Sequence, residues 1–267
     1  MSLMMQKLIY LLFLMTCCQG FGQNPRLKTT EINAQTLEDK IYAGFDGLGN
    51  NYFIKNNVFS KQNENQTWEY KNVALGKISS VDFINPLKIL LFYEDFNTVI
   101  LLDNQLNEIQ KINLFEIDNT IFASKIGLAS QNQFWIYNAL TQQIMLFDYL
   151  KNTSKTVGNP IAENIKYTQT DFNHFYWIDE INNWYAIDLF GKVTLLANIP
   201  PFEKIQIVDQ EKLLFSRDNT LYCLNNQSKT IFEIEIVEKS FRNFYYKDQI
   251  LAIFTNQQIK NFKIKLP

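Results

Sequence analysis

The chain of 267 residues has one histidine, three cysteines and three arginines, and each shortage removes a class of function. His174 and Cys223, the only histidine and the only cysteine outside the N-terminal stretch, cannot supply the clustered donors that zinc and iron centres use. Arg26, Arg217 and Arg242 are scattered along a chain of formal charge −2. No basic stripe is there to track a phosphate backbone, which excludes nucleic acid as the expected partner. Nine glycines form no phosphate cradle, since the GLGNN stretch at residues 47–51 lacks the lysine and the helix that such a loop requires. Neither a Gly-x-Ser-x-Gly elbow nor an Asp-x-Asp-x-Asp calcium loop occurs. Beyond the N-terminus, apolar runs such as residues 88–93 and 98–102 have strand length, far short of the ~20 residues a membrane helix needs. The sequence therefore predicts a mature chain without a transmembrane segment.

The first residues read as a secretory signal. Lys7 supplies the positive end, residues 8–15 (LIYLLFLM) form a short apolar core, and Gly20-Phe21-Gly22 places small residues before a cut at Gln23. The expected organisation is a signal peptide over residues 1–22 and one domain over residues 23–267, exported to the periplasm. A lipoprotein acylated at Cys17 or Cys18 is the rival reading, but Leu14-Met15-Thr16 fits the small-residue box before such a cysteine poorly. Residues 1–22 hold one lysine and no acid, so their removal takes the formal charge from −2 to −3. Cys223 is then the only thiol, no intramolecular disulfide can form, and packing and chain closure must hold the domain.

What the chain has in quantity is aromatic strand sequence, with 22 Phe and 13 Tyr. From residue 75 onward one pattern recurs: an apolar lead-in, a polar break, an apolar run with an aromatic, a polar turn and a second apolar run. The clearest copy, residues 77–113, contains KISSVDFI, KILLFY, TVILLD and NEIQKIN. An all-strand period of ~40 residues marks the blade of a β-propeller. Blades are expected over residues 41–72, 77–113, 120–157, 165–199 and 204–237. A sixth begins near residue 241 and stops one strand short. The fold class is thus all-β, a single propeller of six four-stranded blades, with seven blades the alternative. Residues 26–32 (RLKTTEI) alternate, belong to no blade, and are predicted to supply the missing outer strand of blade six.

Candidate chemistry is sparse. Asp82, Asp171 and Asp209 recur near the ends of first strands, in SSVDF, TQTDF and QIVDQ. On one reading they line the central channel as an acidic ring suited to a cation or to acid–base work; on the other, each ends a strand and caps its turn. His174 reads as a strand-edge residue and Cys223 as a buried structural thiol; a Cys–His pair would need the two to meet across blades. Phe92, Trp135, Trp177 and Phe215 occupy second strands, where packing between blades accounts for them better than a carbohydrate-stacking platform does. No catalytic, cofactor-binding or metal-binding residue is assigned, and no cofactor is expected.

Residues 85–109, NPLKILLFYEDFNTVILLDNQLNEI, resemble a group of small exported propellers from flavobacteria and other Bacteroidetes. Signal, blade count and Asn-rich turns agree with that group over essentially the whole chain. The resemblance implies the role of a plug in the type 9 secretion translocon. Such a plug rests against the periplasmic opening of a large outer-membrane barrel and blocks leakage. It carries over no catalytic or contact residues. The expected function is therefore a non-enzymatic periplasmic interaction protein docked on an outer-membrane complex. The alternative is an enzyme or glycan-binding propeller with its site at the channel mouth.

Overall fold

The computed structural model describes residues 24–37, 41–238 and 240–267; the expected signal segment, with Cys17 and Cys18, lies outside them. Six four-stranded antiparallel units follow one another in chain order. Blade one is β3 (Ile41–Phe45), β4 (Asn51–Lys55), β5 (Val58–Gln62) and β6 (Thr67–Lys71). Blade two is β7 (Ser80–Asn85), β8 (Lys88–Tyr93), β9 (Thr98–Leu102) and β10 (Glu108–Asn113). Blade three is β11 (Ala123–Leu128), β12 (Gln133–Asn138), β13 (Gln143–Asp148) and β14 (Thr153–Val157). Blade four is β15 (Ile165–Thr170), β16 (His174–Asp179), β17 (Asn183–Asp188) and β18 (Val193–Asn198). Blade five is β19 (Lys204–Ile207), β20 (Lys212–Arg217), β21 (Thr220–Asn225) and β22 (Thr230–Glu235). The C-terminal part supplies three strands of blade six, β23 (Asn243–Lys247), β24 (Ile250–Phe254) and β25 (Gln258–Lys263). A short α-helix, α1 (Leu114–Ile117), sits between blades two and three.

Burial explains why the apolar runs are continuous instead of alternating. Each blade packs on a neighbour across both faces, so its middle strands have no solvent side. β8 is buried from Ile89 to Tyr93 and β9 throughout, whereas the outer strand β18 is mostly exposed. Apolar clusters fill the spaces between adjacent blades; the largest joins Phe92, Val99 and Leu101 of blade two to Phe134, Ile136 and Phe147 of blade three.

The turns explain the abundance of Asn in a chain poor in glycine. Two-residue hairpins with both residues at positive φ match the strand twist. Here they are Asn56-Asn57, Asp218-Asn219 and Asp248-Gln249. Asn and Asp tolerate this region because a short polar side chain bonds locally to its own backbone. Seven of the fourteen non-glycine residues with positive φ are Asn.

The N-terminal strand closes the ring, one step later in the sequence than its alternation suggests. β2 (Thr30–Thr36) is the outer strand of blade six, antiparallel to β25 in a register from Thr30↔Lys263 to Thr36↔Gln258. Residues 26–28 do something different. β1 (Arg26–Lys28) adds to blade five as a fifth strand, parallel to β22. Alternation over residues 26–32 therefore spans two strands, and Thr29 marks the crossing, its hydroxyl donating to the Glu235 carbonyl at 2.6 Å. One segment thus ties blade five to blade six before the chain enters blade one. The seam it supports, between blades six and one, has the fewest buried apolar residues among those described: Tyr42, Phe45, Phe53, Ala252, Phe254 and Ile259.

Candidate functional site

The first strand of each blade faces the central channel, a cavity of about 780 Å³ whose lining includes Ala43, Asp82, Ile126, Thr168, Ile205 and Tyr245, one residue from each of the six blades. Strand registers place Asp82, Gly127, Gln169 and Gln206 at one level, each opposite the third residue of the second strand in its own blade: Leu90, Trp135, Tyr176 and Leu214. Three of the four reach across to the next blade. The Gln169 amide accepts from Ile207 N at 2.9 Å and donates to the Ile207 carbonyl. Gln206 repeats this on Tyr246, at 2.7 Å each way. Asp82 accepts from Leu128 N at 2.7 Å, and from Ile84 N at 2.9 Å within its own strand. The fourth position has no side chain and no room for one: a Cβ on Gly127 would lie 1.9 Å from Thr170 Oγ1, so only glycine lets β11 and β15 approach this closely.

The acidic ring is therefore not formed. Asp82 belongs with Gln169 and Gln206 as an inter-blade latch, while Asp171 and Asp209 lie past the ends of their strands. Asp171 accepts from Asn173 N and His174 N at 2.7 Å and from the Tyr176 hydroxyl at 2.7 Å. Asp209 accepts from Glu211 N and Lys212 N at 2.8 Å. Both are turn caps. A related device is legible in the sequence as Asp-x-x-x-Asn at 46/50, 103/107 and 179/183. In each copy the Asp accepts from the backbone N–H two and four residues on, and from the Asn side chain. In the first copy Asp46 also takes the buried Tyr52 hydroxyl at 2.7 Å.

Burial in the channel wall raises the Asp82 carboxyl above the usual carboxylate range, against the lowering effect of its backbone donors and of Lys247. The sign follows from linkage. Between the unfolded value near ~3.9 and the raised folded value, ionisation costs the folded state more than the unfolded one. That penalty is absent below the window and complete above it. Wild type is accordingly expected to lose ground to Asp82→Asn as pH rises above about 4 in urea denaturation. A stability difference between the two that does not change with pH would contradict the raised value.

His174 and Cys223 do not meet. The imidazole Nδ1 lies 3.2 Å from Asp171, and Nε2 faces the Gln210 amide at 2.7 Å, so both ring nitrogens are occupied in a bracket between the loops of blades four and five. Cys223 is fully buried, and burial pushes its thiol up to about 12. No group of three or more His, Cys, Asp or Glu side chains placed to hold a metal ion occurs among the described residues. Phe92, Trp135, Trp177 and Phe215 are core, each at most 4% exposed, and Trp135 Nε1 donates to the Asp171 carbonyl at 3.0 Å.

Loops on one face of the disc, those after second strands and between blades, carry a group of exposed apolar residues. Asn97, at φ 47°, organises it. Its side-chain amide donates to the Ile121 carbonyl at 2.6 Å and accepts from Ala123 N, and its own carbonyl accepts from Leu114 N. These bonds place Phe96, Phe115, Phe122 and Leu140 on neighbouring turns, between 45% and 63% exposed, with the Phe115 and Phe122 rings in edge contact at 5.7 Å. No apolar run in the sequence announces this patch, because its members come from three separate connections: β8–β9, β10–β11 and β12–β13.

No family model and no curated protein matches the chain. Solved structures do. The β-propeller domain of Cps50 (Swd1) from Myceliophteria thermophila superposes with a TM-score of 0.56 at 9% identity, over 89% of this chain and all of its own. Virginiamycin B lyase from Staphylococcus aureus gives 0.56 at 13%, over 87% and 99%. YCF48 bound to D1 peptide gives 0.54 at 8%, over 84% and 77%. The fold is a six-bladed β-propeller. At such identities the likeness carries the architecture alone, and a lyase and a peptide-bound protein share it. Among the described residues no helix is long and apolar enough to cross a membrane.

Proposed function

We propose that this propeller is a non-enzymatic interaction protein of the periplasm that docks on an outer-membrane protein complex, in its most specific form as the plug of a type 9 secretion translocon. The observation that carries the reading is the apolar group Phe96, Phe115, Phe122 and Leu140, held on short bonded turns at one face of a closed disc. A plug must present a rigid surface, and large apolar side chains kept in water by a well-bonded scaffold are what a protein partner would cover. The distribution of reactive groups supports it. Asp171 and Asp209 are spent on turns, Asp82 on a latch, His174 on a bracket and Cys223 on the core. Export and lipidation enter the reading from the N-terminal sequence, and mass spectrometry of the mature N-terminus tests both. A chain starting at Gln23 is expected, and an acylated Cys17 or Cys18 would replace the soluble form by a tethered one.

Phe115→Ser with Phe122→Ser tests the face. Both rings are roughly half exposed, so the fold should persist. Recovery of the partner is expected to fall about tenfold or more, the scale of losing buried anchors at an interface. Unchanged recovery would move the docking surface elsewhere.

A further inference from the structure

A second cavity, of about 680 Å³, opens in the seam between blades six and one, apart from the channel and the apolar face. Its polar wall is made of side-chain amides from both sides of the seam: Asn33 and Gln35 on β2, Asn261 on β25, Asn51 on β4 and Gln62 on β5. Phe45 and Phe53 form its apolar back.

The free hydrogen-bonding capacity is mixed. Asn261 donates to Asn33 Oδ1 at 2.8 Å, but its own Oδ1 is buried without a partner. A buried carbonyl left unpaired is costly, and a ligand hydroxyl would relieve it. Asn51 Oδ1 already accepts from the Tyr42 hydroxyl at 2.8 Å, which leaves its NH2 to donate. Gln35 and Gln62 make no side-chain hydrogen bond among the described residues and can do both.

Among the described residues the charges lining this cavity are Asp46, Glu64 and Asp248, with no lysine or arginine. Asp46 is saturated, with four donors on its carboxylate. Carboxylates without a described cationic partner disfavour an anionic ligand here. The cavity offers alternating donors and acceptors beside an apolar wall, the pattern that vicinal hydroxyls on a sugar ring satisfy.

We infer that the blade-six/blade-one seam is a binding site for a neutral saccharide. The site uses β2, so the segment that closes the ring also builds one wall of it. It is independent of the docking reading.

The test titrates the full mature chain with neutral gluco-, manno-, galacto- and N-acetylglucosamine hexasaccharides by calorimetry, with an oligogalacturonate hexamer as anionic control. One or more of the neutral sugars should bind, and the anionic hexamer at least about tenfold more weakly. Gln62→Ala and Asn51→Ala should each weaken binding about tenfold. Gln35→Ala, on an exposed strand edge, reports the same loss without threatening the fold. Lys125→Ala, in the central channel, should leave binding unchanged. Binding by none of the neutral sugars, equal binding of the anionic hexamer, or affinity that survives Gln35→Ala and Gln62→Ala together would overturn the assignment.

Discussion

Deleting residues 24–36 is expected to lower the melting temperature by roughly 8–16 °C, the largest effect of any change considered. The deletion removes β1 and β2 together. It exposes the whole β25 edge, leaves blade six with three strands, and strips Leu27 from the apolar cluster between blades five and six. It also takes the strand that runs into the thinnest apolar seam of the ring. Ladder bonds contribute a net ~0.5–1.5 kcal/mol each, so losing two short ladders and their packing costs about 4 kcal/mol or more. In a domain of this size each kcal/mol shifts the midpoint by ~2–4 °C. The ion pairs of Arg26 with Glu233 and Glu235 add little, since Arg26 is mostly exposed. Differential scanning calorimetry of the truncated chain is the check. An unchanged midpoint would mean that the ring closes through blades six and one without this strand.

Gly127→Ala should cost about 3 kcal/mol, the upper range for forcing a methyl into a packed site. The backbone at Gly127 is not at positive φ, so the cost is steric and local. The added Cβ would stand 1.9 Å from Thr170 Oγ1 and 2.8 Å from Thr170 Cβ, at the point where the inner strands of blades three and four touch. The clash names its own remedy. Gly127→Ala with Thr170→Gly should be more stable than Gly127→Ala alone, although Thr170→Gly by itself destabilises a strand. Strictly additive losses in urea denaturation would show that the two residues do not meet as described.

The parts of this molecule that were legible in its sequence are those set by nearest-neighbour chemistry. Runs such as KILLFY and TVILLD are buried on both faces, and their length, together with Asn-rich hairpins, outlines every blade. The closing strand was visible as an alternation over residues 26–32. Its division at Thr29 was not, because parallel and antiparallel edge strands alternate alike. Asp82, Asp171 and Asp209 look equivalent in sequence because each follows an apolar lead-in. Register separates them: Asp82 pairs opposite Leu90 within β7, while the other two follow the ends of their strands. The true counterparts of Asp82 are Gln169 and Gln206, a likeness of position and reach with no likeness of charge. The apolar face and the amide-lined seam were illegible for one reason. Each is assembled from residues far apart in the chain, brought together only when the ring closes.

The proposed role of this disc is to cover a partner in the outer membrane. A native pull-down of the tagged full-length chain from mildly solubilised membranes, read by mass spectrometry beside the Phe115→Ser/Phe122→Ser variant, tests it most directly. A large outer-membrane protein complex is expected with the wild type, and its loss with the variant. Recovery of the wild type only as a free monomer would contradict it.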